Sequence, residues 1–359
     1  MVPGAVPVPG AVPGAGVLYR CRVLCPGAGC CAGCLVLASE PMRVPFAVPS
    51  VDGRAFDVVG LGENSVDYMA LAPAVAGAGS KQRLDQLVRL PGGQTATALV
   101  ACARHGWRTR YIGAFGDDEP GQLSRESLTR EGVDVSGAQT VPGATNRAAV
   151  ILVDARSGDR TVLWYRDPAL RLEPDAGLQL AAASGRLLLV DCDDIPSATV
   201  AAIAAREARI PTIIDVEEVQ PGTDTLLRAV DAIIAAERFP SALTGHVELG
   251  QALEAIEREY RAPFVCVTLG AQGSLARCGG REIRTPAFAV DCIDSTGAGD
   301  VFRGAFASGC LRWPDGDIER VLAYANAGAA LSCRGLGARG ALPDADAIER
   351  LIGAGERSG

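Results

Sequence analysis

The 359-residue sequence predicts an α/β protein: a mainly parallel central sheet with helices on both faces, plus a small β-sheet lid. Three observations predict it. From about residue 55 onward, short apolar runs alternate with helical segments, the pattern of a parallel sheet covered on both sides. Two β-type stretches, 76–90 and 146–165, interrupt that alternation and read as an appended lid. Small-residue turns follow several of the strands, where open α/β sheets bind ligands.

Residues 1–50 stand apart. Fifteen of them are Pro or Gly, Glu40 is the one acidic residue, and five cysteines fall at 21, 25, 30, 31 and 34. The repeats Pro-Gly-Ala-Val-Pro and Val-Pro-Gly-Ala present no periodic apolar face, so a disordered, dispensable extension is expected. The prolines at its start do not suit a secretory signal. The folded domain is expected over 55–355, with lid segments at about 67–91 and 143–168.

Phe56 to Gly62 reads as a buried strand ending in a tight turn. Thr95 to Ala103 reads as a helix of small residues, and Arg110 to Phe115 as a strand. Asn146 to Asp154 and Arg160 to Tyr165 flank Ser157-Gly158-Asp159, a hairpin signal. Four more apolar strands follow, at Arg186–Asp191, Pro211–Asp215, Ala232–Ile234 and Phe264–Thr268, with helical segments between most of them. Phe288 to Asp291 is strand-like, and Val301 to Leu311 opens an apolar helix.

Composition removes several mechanisms. Net charge is −8, against a nucleic-acid binder that relies on a basic face. No uncharged apolar run is long enough for a membrane span. Lys81 is the only lysine and sits in Gly79-Ser80-Lys81-Gln82, which excludes a Walker-A loop. His105 and His246 are the only histidines, and no Gly-x-Ser-x-Gly elbow is present, against a multi-histidine metal centre or a hydrolytic triad. The scattered cysteines sit in apolar runs such as Val265-Cys266-Val267 and read as reduced thiols, which places the protein in the cytoplasm.

The sharpest motif is Asp294-Ser295-Thr296-Gly297-Ala298-Gly299-Asp300. Its small residues let a backbone turn approach a ligand closely. The helix start that follows aims unpaired N–H groups at the same spot. The motif therefore describes an anion hole beside a carboxylate, or a Gly-rich turn with a capping Asp; spacing alone does not separate the two. Gly92-Gly93 before the small-residue helix, Thr268-Leu269-Gly270-Ala271-Gln272-Gly273 after a strand, and Asp67 beyond the first strand are weaker signals of the same kind.

Together these segments resemble the PfkB, or ribokinase-like, carbohydrate kinases. Residues 294–300 match the family's C-terminal signature. Gly92-Gly93 with the Gly116-Asp117 segment matches the N-terminal one, residues 269–273 match the nucleotide loop, and the helix around Asn326 also matches. The resemblance implies transfer of the γ-phosphate of ATP to a hydroxyl of a small carbohydrate. It implies Asp300 as the base and the N–H groups of Gly297, Ala298 and Gly299 as the anion hole. Asp67, Gly92, Gly93 and Thr97 would hold the sugar; Thr268, Gly270, Gly273 and Asn326 would line the nucleotide site. Mg²⁺ would accompany the ATP. A monovalent cation, K⁺, would sit by Asp294 and Thr296 with backbone oxygens near Ser332, Gly335 and Gly337.

The sequence departs from the family at Thr97 and Ser65, where Asn is frequent. It departs again at Ala236-Glu237-Arg238-Phe239, where an Asn-x-x-Glu segment tied to Mg²⁺ is usual. Arg147 and Arg166, in or beside the lid hairpin, read as solvated rather than as contacts for an anionic substrate. Apolar lid residues from Val150 to Trp164 suggest a homodimer clasped through the lid. The alternatives are a non-catalytic sugar- or nucleotide-binding regulator on the same fold, and a nucleoside kinase of the same family.

Overall fold

The computed structural model describes residues 18–19, 36–37, 42–73, 77, 79, 81–154 and 160–355. The chain divides into two units, 1–43 and 44–359. In the first, β1 (Leu18–Tyr19) and β2 (Val36–Leu37) form an antiparallel pair. The rest of the extension expected over 1–50, with its five cysteines, lies outside the described residues up to residue 41. The second unit starts earlier than the sequence suggested. Val44 is buried and its N–H donates to Gly316 O at 3.0 Å, and Arg186 donates to Pro49 O at 2.9 Å.

The large sheet is built from β3 (Val58–Leu61), β6 (Thr109–Ile112), β11 (Leu187–Val190), β12 (Thr212–Val216), β13 (Ala232–Ala236), β14 (Phe264–Thr268), β15 (Ser274–Cys278) and β16 (Arg281–Thr285). Its order is β16-β15-β14-β13-β12-β11-β3-β6. The strands from β6 to β14 pair in parallel; β15 and β16 add an antiparallel edge. Successive side chains alternate between faces. Val59, Leu188, Ile214, Ile233 and Val265 point into one apolar core. That core is covered by α3 (Ala176–Ala182), α4 (Ile195–Glu207), α5 (Thr223–Leu227), α6 (Phe239–Thr244) and α7 (Leu249–Tyr260). The opposite face is covered by α1 (Gln94–Arg104), α8 (Ala298–Arg312), α9 (Ile318–Ser332) and α10 (Ala345–Ala354). There Gly60 is required: a Cβ on it would lie 2.7 Å from the Leu99 and Thr95 side chains.

The lid is a second sheet, ordered β10-β9-β4-β5, of β4 (Ser65–Ala72), β5 (Gln86–Gly92), β9 (Ala148–Asp154) and β10 (Arg160–Tyr165). The expected hairpin pairs Arg160 with Val153; its turn at 157–159 lies outside the described residues. The strand expected over Arg110–Phe115 is two strands. Beyond Gly113 the chain leaves the large sheet, and β7 (Ala114–Gly116) pairs with β8 (Gln139–Val141) beside α2 (Glu119–Arg130). The strand expected at Phe288–Asp291 does not form; the segment holds a single bridge residue on the way to α8.

Candidate active site

The helices reveal where the fold leaves backbone groups open. Asp118, Asp175, Asp194, Asp317 and Asp344 each cap a helix by accepting a first-turn N–H. α1 and α8 instead begin at Gly93 (φ 94°) and Gly297 (φ 76°), with no side-chain cap. The first turn of α1 is satisfied from across the sheet: Thr95 N–H donates to Asp191 Oδ2 at 3.3 Å and Ala96 N–H to Glu63 O at 3.1 Å. In α8 the Ala298 N–H donates to Ser295 O at 3.2 Å. The N–H groups of Gly299 and Asp300 have no acceptor among the described residues. Gly297 N–H likewise has no acceptor among the described residues, so of the three expected donors Ala298 alone is engaged, and Asp300 adds a further open N–H beside Gly297 and Gly299.

Asp300 stands in that first turn with its side chain 13% exposed. Burial pushes its carboxyl well above the ordinary range, opposed by Arg303, with Glu217, Glu63 and Asp191 reinforcing the rise. Arg303 Nη1 lies 3.2 Å from Asp300 Oδ1.

The expected sugar-side residues also converge. Asp67 lies within β4, buried, and accepts from Ser65 Oγ at 2.8 Å. Burial raises its carboxyl, against the Ser65 hydroxyl and the nearby Arg339. Gly92 pairs opposite Ser65, and a Cβ there would collide with the Asp67 carboxylate. Gly93 runs so close to the β3–β4 turn that a Cβ would lie 2.5 Å from Asn64 Cα. Thr97 is buried and accepts from Arg339 Nε at 3.2 Å; Arg339 also donates to Ser127 Oγ and Gly92 O.

On the nucleotide side, Thr268 ends β14 and Gly270 (φ 54°) is exposed in the short 3₁₀ turn after it. Gly273 (φ 86°) serves the turn into β15, since a Cβ would clash with Thr285 O. Asn326 Nδ2 donates to Ser274 Oγ and Leu322 O, so its amide braces α9 against β15. Asp294, Thr296 and Gly337 come together: Asp294 accepts from Thr296 N–H at 2.9 Å, Thr296 Oγ1 at 2.7 Å and Gly337 N–H at 2.7 Å. Ser332 and Gly335 flank this loop, with Ser332 Oγ bonded to Ala329 O and Gly335 packed on Ala341. Phe239 fills the position of the expected metal-linked Glu and is buried in the apolar core, while Glu237 is exposed.

Several residues here were invisible in the sequence. Asp191 is fully buried and accepts from Glu63 N–H at 2.7 Å, Thr95 Oγ1 at 2.7 Å and Asp193 N–H at 2.9 Å, tying β11 to the β3–β4 turn and α1. Arg147 pairs with Glu63 at 3.0 Å and Asp193 at 2.9 Å, and Arg166 pairs with Asp193 at 2.9 Å. Both arginines are 17% exposed, so the solvated reading of them is corrected. Carboxylates supplied by distant strand ends neutralise them, and sequence spacing carries no record of that.

A parallel sheet of this order, a lid rooted at one end, and a carboxylate beside free helix-start N–H groups form a site suited to an anionic ligand and a hydroxyl acceptor, as a phosphotransferase with an alcohol acceptor requires. The family model for pfkB family carbohydrate kinases matches residues 56–345, and the chain belongs to that family. Ribokinase of Bacillus subtilis is 26% identical over 295 residues, covering 81% of this chain and 98% of that protein. Fructokinase of Klebsiella pneumoniae is 28% identical over 291 residues, covering 74% and 93%. Among solved structures, Arabidopsis thaliana ribokinase complexed with ribose and ATP superposes with a TM-score of 0.72 at 23% identity, over 83% of this chain and 99% of that one. The fold and the carbohydrate-kinase class expected from the sequence stand.

Proposed function

We propose that this kinase transfers the γ-phosphate of ATP to a hydroxyl of a small sugar, with Asp300 as the base. One observation carries the reading: in the first turn of α8 the Asp300 carboxyl, 13% exposed, stands beside helix-start N–H groups that have no acceptor among the described residues. As the sugar oxygen bonds to the γ-phosphorus, its proton passes to Asp300, the bond to the β-phosphate oxygen breaks, and ADP leaves. The open N–H groups of Gly297, Gly299 and Asp300 meet the charge on the transferring phosphoryl oxygens. Asp67 and the Gly92–Gly93 backbone orient the sugar. Thr268 and Gly270 border the nucleotide.

Mg²⁺ bound to the triphosphate would offset its negative charge. With Phe239 buried at the position of the usual Glu, that segment gives no protein ligand, so the ion would be held by phosphates and water. A K⁺ ion by Asp294 would find the carboxylate already accepting three donors and would depend on backbone oxygens. The exposed lid residues Leu163 and Trp164 support a homodimer, which light scattering would test. Among the described residues no helix is long and apolar enough to cross a membrane, and the described cysteines are free, which supports a cytoplasmic setting.

The experiment is ATP consumption across ketohexoses, pentoses, sugar acids and nucleosides. Asp300→Asn should lower turnover about 10²–10⁴-fold with nucleotide binding kept. Turnover near that of the parent protein would refute the role of Asp300, and silence across the whole panel would favour the non-catalytic regulator.

A further inference from the structure

Arg303 follows Asp300 by one turn of α8, and phosphoryl transfer as described makes no use of it. The residue is buried, at 4% exposed. Its Nη1 contacts Asp215 Oδ2 at the end of β12 and lies 3.2 Å from Asp300 Oδ1. A Cβ on Gly299 would stand 3.1 Å from the same nitrogen, so the guanidinium lies against the anion-hole backbone. Apart from that ion pair, neither Asp215 oxygen has a hydrogen-bond donor, and Arg303 Nε has no acceptor. Beside them is a cavity of about 10 Å³ lined by Thr95, Ala98, Leu189, Ile213, Asp215 and Arg303.

The ionisable groups around Asp300 come from every neighbouring element. Asp215 lies in β12 and Glu217 just after it; Asp191 comes from the end of β11, Glu63 from the β3–β4 turn, and Arg339 from the loop after α9. Around Asp215 and Arg303 stand the thiols of Cys192 and Cys266, both held in the neutral form by burial. One guanidinium therefore contacts two carboxylates in a strongly acidic, water-poor corner.

We infer that Arg303 is a positioning residue for phosphoryl transfer: it holds the Asp300 carboxylate toward the anion hole, and Asp215 competes for the same guanidinium. The inference rests on the reading of Asp300 as base. Its two neighbours then act with opposite sign. Removing Arg303 takes away the cation that opposes protonation of Asp300. Replacing Asp215 by a neutral amide removes the carboxyl that competes for the guanidinium and releases it to Asp300.

The test is kcat against pH, at saturating ATP and the best-accepted sugar, for the parent protein and the Arg303→Met, Arg303→Lys and Asp215→Asn variants. The acid limb should rise by about 1–3 pH units in Arg303→Met, the usual reach of a contacting opposite charge. It should stay near the parent in Arg303→Lys and fall in Asp215→Asn. A residue with only a structural role would lower kcat without moving the limb. Limbs that stay fixed, or that move the same way in Arg303→Met and Asp215→Asn, overturn the inference and leave the kinase reading intact. Should Arg303→Met not fold, an unmoved limb in Asp215→Asn overturns it alone. A parent protein that turns over no sugar removes the kinase reading and this inference together.

Discussion

Replacing Arg147 by Met tests whether the charge network around the site is a structural tie. Arg147 joins Glu63 in the β3–β4 turn to Asp193 beyond β11, and its guanidinium lies 4.5 Å over the Trp164 ring. Methionine keeps much of the length and apolar stem but leaves Glu63, only 12% exposed, without its partner. Breaking a buried pair from one side costs about 3–5 kcal/mol. Asp193 keeps Arg166, so the lower end, about 3 kcal/mol, is expected. For a domain of this size that is a fall in Tm on the order of 10 °C. The loss must depend on pH. Burial already holds the Glu63 carboxyl well above its ordinary range, with Arg147 opposing. The native state binds that proton more tightly than the unfolded chain, so stability falls as pH rises from the ordinary carboxylate range through the native value. Without Arg147 the native value rises further and the penalty grows with pH. Thermal unfolding at pH 5.5 and pH 8 measures it, with Arg108→Met as control, because Arg108 is 48% exposed and its partner Asp57 keeps Arg186. An equal fall at both pH values, or one no larger than the control's, refutes the reasoning. Adding Glu63→Gln to Arg147→Met should restore part of the loss.

Gly93→Ala, which forces a side chain into a backbone at φ 94° and against Asn64, should cost at least about 2 kcal/mol by urea denaturation and raise the KM for the sugar. Phe306→Ala empties a fully buried ring stacked on Phe264 at a centroid distance of 4.8 Å, so the urea midpoint should report a loss of about 3–5 kcal/mol. Truncation to begin at residue 42 should leave Tm and kcat unchanged within error, because it keeps Val44 and Pro49, which hydrogen-bond to Gly316 and Arg186 within the second unit; a large loss of either would assign residues 1–41 a structural part.

What could be read in advance was local. The runs at 187–190, 212–216, 232–236 and 264–268 are largely apolar and buried on both faces, as covered parallel strands are. The Asp294–Asp300 motif was legible for the same reason, as its turn glycines and helix start are contiguous. Phe288 to Asp291 shows where local reading fails: its alternation suits a strand, yet the large sheet is completed by β16 and passes it by. Arg147, Arg303 and Asp191 were illegible because their meaning lies in carboxylates or donors that other strand ends deliver. A lone arginine in a lid reads as solvated until Asp193 is placed opposite it.

The position of β3 bears on how the chain assembles during synthesis. β3 ends at Leu61, but both its neighbours come later: β6 pairs at Thr109–Ile112, and β11 at Leu187–Val190. Until Val190 has left the ribosome, the strand that centres this half of the sheet has one edge open and its apolar faces incompletely covered. At roughly 5–20 residues per second that interval is on the order of ten seconds, long against strand pairing and ample for a holding chaperone or a neighbouring nascent chain to engage it. Slowing translation between codons 61 and 190 should therefore lower the yield of soluble protein more than the same delay placed after codon 300.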